Sequence, residues 1–316
     1  MTVARPIRIG MLAWTQHTTW AELMRIGALA DQLGYDHCWV WDHLLPLRGR
    51  PSGPMFEAFT TLAGWAAVTS RARLGPLVVA NTFRNPALVV KMITALDHMT
   101  GGRAILGLGA AGYDLDNRAF GFDYGTVGER LDRFDEAAQL ILDMLRGRVA
   151  SARGPYYSAV DVVNDPPPLQ AVLPLVIGGA GERKTLATVA RYADAWNVGG
   201  DFATVRHKDE VFREWCTRIG RDEAEVERIT GLPVVIRDDR AAARRVLRGM
   251  GTHNGGWHES IPVGPSDAIV EYLAPFVELG FRTIILDLPT PFDQETLERF
   301  IGEVKPGLEA VAGTRA

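Results

Sequence analysis

Eight short apolar segments alternate with amphipathic helical stretches along the 316-residue chain, and this alternation constrains the fold more than any other feature. The segments are Ile7–Leu12, His37–Trp41, Ala72–Ala80, Arg103–Gly109, Leu173–Ile177, Asp194–Val198, Thr230–Ile236 and Thr283–Leu288. Cys38-Trp39-Val40-Trp41 is continuously apolar, as suits a parallel sheet covered on both faces. Between the segments, apolar residues recur every three or four positions. Leu23, Ile26, Ala30 and Leu33 make one helical stripe, closed by Gly34; Leu131, Phe134, Ala138, Ile141, Leu142 and Leu145 make another. Eight strand–helix units predict an α/β fold, a (β/α)8 TIM barrel formed by a single domain over 1–316. The rhythm breaks at about 147–172, where Tyr156, Tyr157 and Pro166-Pro167-Pro168 read as an insertion. An open doubly wound sheet is the competing architecture, but Leu12-Ala13-Trp14-Thr15 lacks the glycines that such a sheet carries after its first strand.

Charge and cysteine content narrow the function classes. Lys and Arg total 34 against 38 Asp and Glu, a formal charge of -4. No basic excess is available to neutralise a nucleic-acid backbone, so no nucleic-acid partner is expected. The two cysteines, Cys38 and Cys216, give no disulfide framework and fit a reducing compartment. No apolar run approaches a membrane span, and Met1 to Met11 lacks the core of a signal peptide, so the chain reads as cytoplasmic with no membrane partner.

In parallel α/β folds ligands bind at the carboxyl ends of the strands, and that places the candidates. Asp42 and His43 end the second strand, where a histidine can exchange a proton near neutral pH. A structural histidine bonded to a loop is an equal competitor. Gly178-Gly179-Ala180-Gly181-Glu182 follows the fifth strand and opens a helix, an arrangement that favours phosphate, with Arg183 and Lys184 adding positive charge. An ordinary tight turn explains the same glycines. Gly107, Gly109 and Gly112 suit either close approach of a flat ligand or another turn, and Asn81 ends the third strand. Loop aromatics, among them Phe56, Tyr113, Phe120, Phe122, Tyr124 and Trp257, point to an apolar substrate pocket, with Trp14, Tyr113 and Trp257 as its candidate walls. No metal is expected: the seven histidines form no His-x-His pair after the first strand, and His253, His258 and Glu259 read as a solvated loop. Gly-x-Ser-x-Gly, Walker and Cys-x-x-Cys motifs are absent.

Several pieces together resemble the luciferase-like monooxygenase superfamily, and within it the branch using the deazaflavin coenzyme F420. They are Leu33-Gly34-Tyr35-Asp36 leading to Trp39-Val40-Trp41-Asp42-His43, Thr82-Phe83-Arg84-Asn85-Pro86, Gly101-Gly102-Arg103 and Leu106-Gly107-Leu108-Gly109-Ala110. Gly128-Glu129-Arg130, Ile177-Gly178-Gly179 and Ala190-Arg191-Tyr192-Ala193-Asp194-Ala195-Trp196-Asn197 continue the likeness over nearly the whole chain. The resemblance implies a (β/α)8 barrel with insertions and a cofactor ring at its carboxyl face. It implies that Asp42 and His43 touch that ring, with His43 handling the proton. It further implies a non-proline cis peptide at Leu77-Val78 behind the ring, contacts from Asn81, Gly109 and Ala110, and a phosphate on Gly178, Gly179, Ala180 and Glu182. The branch's sugar-phosphate dehydrogenase carries a catalytic glutamate after the fourth-strand glycines. Here Gly112, Tyr113 and Asp114 stand there, which argues against a sugar phosphate and leaves Tyr113 and Asp114 as reserve proton carriers. The expected activity is hydride transfer between F420 and a small-molecule substrate, with a separate reductase for the cofactor and a homodimer as the assembly. An FMN-dependent monooxygenase of the same fold, a non-catalytic flavin-binding protein and, last, a metal hydrolase are the alternatives.

Overall fold

Residues 5–250 and 261–313 are described by a computed structural model. All main-sheet pairings are parallel, and the segments run β1 (Arg8–Ala13), β2 (His37–Val40), β3 (Arg73–Pro76), β4 (Val79–Ala80), β5 (Leu106–Gly109), β8 (Leu175–Gly178), β9 (Ala195–Asn197), β10 (Glu227–Pro233) and β13 (Thr283–Leu288). β3 and β4 are two halves of the predicted third strand, separated by the cis peptide Leu77-Val78 at the position the family likeness implied. The β3 half bonds the approach to β5 through Leu74 N–H to Arg103 O and Ile105 N–H to Leu74 O, while β4 pairs with β5 itself. These bonds close the sheet into the expected barrel rather than the open alternative.

Two predicted segments differ in detail. The seventh ends at Pro233; Val235–Ile236 (β11) leaves the barrel and pairs with Val263–Gly264 (β12). The stretch read as an insertion contains an antiparallel hairpin, β6 (Ala150–Arg153) and β7 (Ser158–Val162), in a sheet of its own.

The helices follow from local signals. α1 (Trp20–Leu33) starts on a Thr19 cap and stops at Gly34, whose φ of 94° requires a residue without Cβ. Its Gly27 lies flat against the Trp65 indole of α2 (Ala58–Ala66), and that indole donates to Leu23 O at 2.7 Å. α3 (Pro86–Thr100) begins with an Asn85 cap and proline in its first turn. α5 (Val127–Leu145) matches its predicted span and opens on a Thr126–Glu129 capping box. A short helix, α4 (Asp114–Phe120), occupies part of what had read as loop.

Alternation within the strands sorts side chains between the barrel interior and the helix layer. The interior is filled by Leu12, Trp39, Ile105, Val176, Ala195, Ile229 and Ile285, with Trp41 and Leu77 packed upon them. Two residues further along their chains come Trp14, Trp41, Gly231 and Asp287, which form the next layer toward the carboxyl end. The opposite strand faces bury the larger shell against the helices, including Met11, Cys38, Leu74 and Ile284.

Candidate active site

The same parity builds the site at the end of β2. Trp39 and Trp41 turn inward, so Asp42 turns outward and His43 inward again. The Asp42 carboxylate is buried, accepts Ala80 N–H at 2.9 Å, and takes both guanidinium branches of Arg84 at 2.7 and 3.0 Å. Arg84 also bonds Glu57, the cap of α2. Burial pushes the Asp42 carboxyl up from its ordinary value, opposed by the Arg84 charge. Asp42 borders the cavity, yet its hydrogen-bonding capacity goes into tying β2, β4 and α2 together.

His43 lines a cavity of about 400 Å³. Its Nδ1 lies 2.7 Å from Asp116 Oδ2, and the other carboxylate oxygen of Asp116 accepts the amides of Leu44 and Leu45 at 3.2 and 2.8 Å. Asp116 is buried, and an ionised carboxylate only accepts, so in a neutral imidazole this bond takes the Nδ1 proton and leaves Nε2 as the acceptor. Trp41 and Tyr113 pack edge-on against the imidazole, with ring centroids 6.4 and 5.8 Å away. Sequence reading missed Asp116. It named Asp114, which instead forms an exposed ion pair with Arg118. Asp116 sits in α4, and its short sequence Asp-Leu-Asp-Asn-Arg-Ala-Phe carries too little apolar periodicity to announce a helix.

Across the cavity stand Leu77 and Val78. The glycines of neighbouring strands make room for Val78. A Cβ on Gly107 would meet its Cγ1 at 3.0 Å, one on Gly109 its Cγ2 at 2.5 Å, and one on Gly178 its Cγ1 at 2.8 Å. These glycines therefore accommodate a side chain of the protein itself, where the sequence offered a flat ligand or a turn for Gly107 and Gly109 and a phosphate or a turn for Gly178. Ala110, Gly178 and Gly179 also line the cavity, joined by Thr185 and Asn197, which were not singled out.

The loop from Gly178 into α6 (Thr185–Tyr192) fits a phosphate. Gly179 N–H is spent on Asn197 O, whereas the amides of Ala180, Gly181 and Glu182 make no hydrogen bond within the described residues. The side chains of two other predicted residues point elsewhere. Glu182 turns its carboxylate to His207 Nε2 at 2.9 Å and Lys208 Nζ at 2.5 Å on α7 (Phe202–Ile219). Asn81 is buried and donates to Tyr157 OH of the hairpin region at 3.1 Å. Neither borders the cavity, because the loop and strand geometry point both side chains into neighbouring elements.

A second chamber, about 610 Å³, adjoins the first and shares Trp41 and Tyr113 with it. Trp14 forms its wall with Trp41, the two rings 4.7 Å apart. Trp14 and Tyr113, two of the expected pocket walls, both line this chamber, and Trp257 lies outside the described residues. Among the described residues no group of three or more His, Cys, Asp or Glu could hold a metal ion, and no helix is long and apolar enough to cross a membrane.

The histidine, its carboxylate partner and the glycine turn thus stand together at the carboxyl ends of a closed parallel barrel, the face at which such barrels carry their sites. The chain belongs to the luciferase-like monooxygenase family, whose model matches residues 3–268. It is 27% identical to the F420-dependent glucose-6-phosphate dehydrogenase of Microbacterium testaceum (strain StLB037), over 94% of this chain and 96% of that protein. It is 31% identical to the F420-dependent hydroxymycolic acid dehydrogenase of Mycobacterium tuberculosis (strain ATCC 25618 / H37Rv), over 68% of this chain and 59% of that one. A solved F420-dependent secondary alcohol dehydrogenase, in complex with an F420-acetone adduct, shares the fold with a TM-score of 0.82 at 18% identity, covering 96% of this chain and 99% of that one.

Proposed function

We propose that this protein is an F420-dependent oxidoreductase that transfers hydride between the cofactor and a small organic substrate. The observation that carries the reading is the His43–Asp116 pair, which presents Nε2 as an acceptor in a cavity walled by Leu77 and Val78 and reached by the glycine turn. The names of the similar dehydrogenases favour F420 over FMN. Bound F420 supplies a two-electron hydride acceptor or, reduced, a hydride donor. The amides of Ala180 to Glu182 would hold its phosphate, and Val78 would back its ring. His43 exchanges the accompanying proton: when an alcohol is oxidised, the hydroxyl proton goes to Nε2 as the carbonyl forms, and Asp116 holds the imidazole in register. The apolar walls Trp14, Trp41 and Tyr113 position the substrate and exclude water.

Asp42 serves as scaffold to this arrangement, with Arg84 as its partner. The enzyme operates as one barrel domain, with a homodimer as the assembly, a separate F420 reductase as its redox partner and the cytoplasm as its location. Titrating F420 and FMN separately into the protein tests the assignment. Micromolar or tighter binding of F420 is the expected outcome; tight FMN binding with no F420 binding would transfer the protein to the oxygen-using reading.

A further inference from the structure

We propose that the second chamber selects substrates bearing a cationic nitrogen, held by the Asp287 carboxylate among the rings of Trp14, Trp41 and Tyr272. The inference rests on the oxidoreductase reading only for calling the bound molecule a substrate. Asp287 is the penultimate residue of β13 and pairs in register with Leu12 of β1 and Pro233 of β10. Ile285, two residues earlier, fills the barrel interior, so Asp287 projects inward one layer higher, onto the chamber floor. Gly231, level with Ile285 in the neighbouring strand, also lines the chamber and adds no side chain below Asp287.

Among the described residues, the Asp287 carboxylate makes no hydrogen bond or ion pair. The other acids near the mouth are all engaged: Asp42 by Arg84, Asp116 by His43. Asp201 also lines the chamber but caps α7 through Thr204 N–H at 2.8 Å. Asp287 is partly buried, and desolvation on the chamber floor, with no opposing charge against it, raises its carboxyl to about 7, a penalty on the ionised form that a bound cation would offset. Aromatic faces attract the same kind of ligand, most strongly where water is excluded. Arg48, Asp201, Tyr113 and Tyr272 are the other ionisable groups facing the chamber.

Calorimetry on the full chain, with and without F420, compares 4-hydroxyphenyltrimethylammonium with its uncharged isostere 4-tert-butylphenol. At pH 8 the cation binds at least about tenfold more tightly, and Asp287→Asn removes that preference while the phenol is unaffected. Lowering the pH to 5.5 weakens cation binding to the unsubstituted protein in the same way. Asp201→Asn leaves the preference in place. Equal affinities for the two probes, a preference that survives Asp287→Asn, or one lost through Asp201→Asn each overturns the proposal. F420 binding without cation selection would overturn this inference alone, whereas cation selection without F420 binding would overturn only the assigned activity. Circular dichroism of Asp287→Asn verifies that the variant is folded.

Discussion

Asp42 and Asp287 stand on either side of β1, one just past β2 and the other near the end of β13, and their surroundings are opposite. Asp42 follows an inward tryptophan, so it points out of the barrel and meets a guanidinium and a backbone amide. Asp287 follows an inward isoleucine by two residues, so it points into the barrel and meets no partner among the described residues. One step of strand parity separates a structural carboxylate from one available to a ligand. Polarity at a strand end identifies a region of interest; parity tells which polar groups face it.

Substitutions test these roles, and the strongest loss should come from a residue other than the two aspartates. His43→Ala removes the proton acceptor and should lower turnover by about 10²–10⁴-fold with F420 affinity little changed. Turnover untouched by the change on every responsive substrate would remove His43 from the chemistry. Asp42→Ala leaves Arg84 paired with Glu57 alone and the Ala80 amide without its acceptor, and a loss of about 1–3 kcal/mol in denaturant stability is expected. Adding Arg84→Met should recover part of it. If Asp42→Ala left stability unchanged but abolished F420 binding, Asp42 would belong to the site and not to the scaffold. Asp116→Asn should reduce kcat by about 10–10²-fold while KM stays near its original value, because the carboxylate acts through His43 and touches no substrate. A change confined to KM would contradict that positioning role.

How far these assignments were legible before the coordinates depends on the distance over which each signal acts. Strand–helix alternation is a local pattern, and it yielded the barrel, the helix Val127–Leu145 and the position of His43. The family likeness placed the Leu77-Val78 cis peptide. The His43 partner is 73 residues away on a seven-residue helix, and no local pattern connects them. Gly107, Gly109 and Gly178 lie on two different strands, and only their convergence on Val78 explains them together. Asp287 differs from these: Thr-Ile-Ile-Leu-Asp-Leu contains an acid in a buried strand, and counting parity from Ile285 would have singled it out.

The smallest effect tests Asp287 without any ligand. Its carboxyl has an ordinary value of 3.8 and is raised to about 7 in the folded chain by burial. The folded state therefore binds this proton more tightly than the unfolded state, and its contribution to stability declines as pH climbs from about 4 to about 7. Above that range the penalty is constant. Asp287→Asn cannot ionise, so it should match the unsubstituted protein near pH 4 and exceed it by about 1–3 kcal/mol at pH 8, the full shift being reduced because the side chain borders an open chamber. Urea denaturation at pH 4, 5.5, 7 and 8.5 measures the gap. A gap that does not open with pH would mean that Asp287 is paired in solution, and the contrast with Asp42 would collapse; a gap that opens on schedule and closes when 4-hydroxyphenyltrimethylammonium is added would tie the missing counter-charge to the ligand.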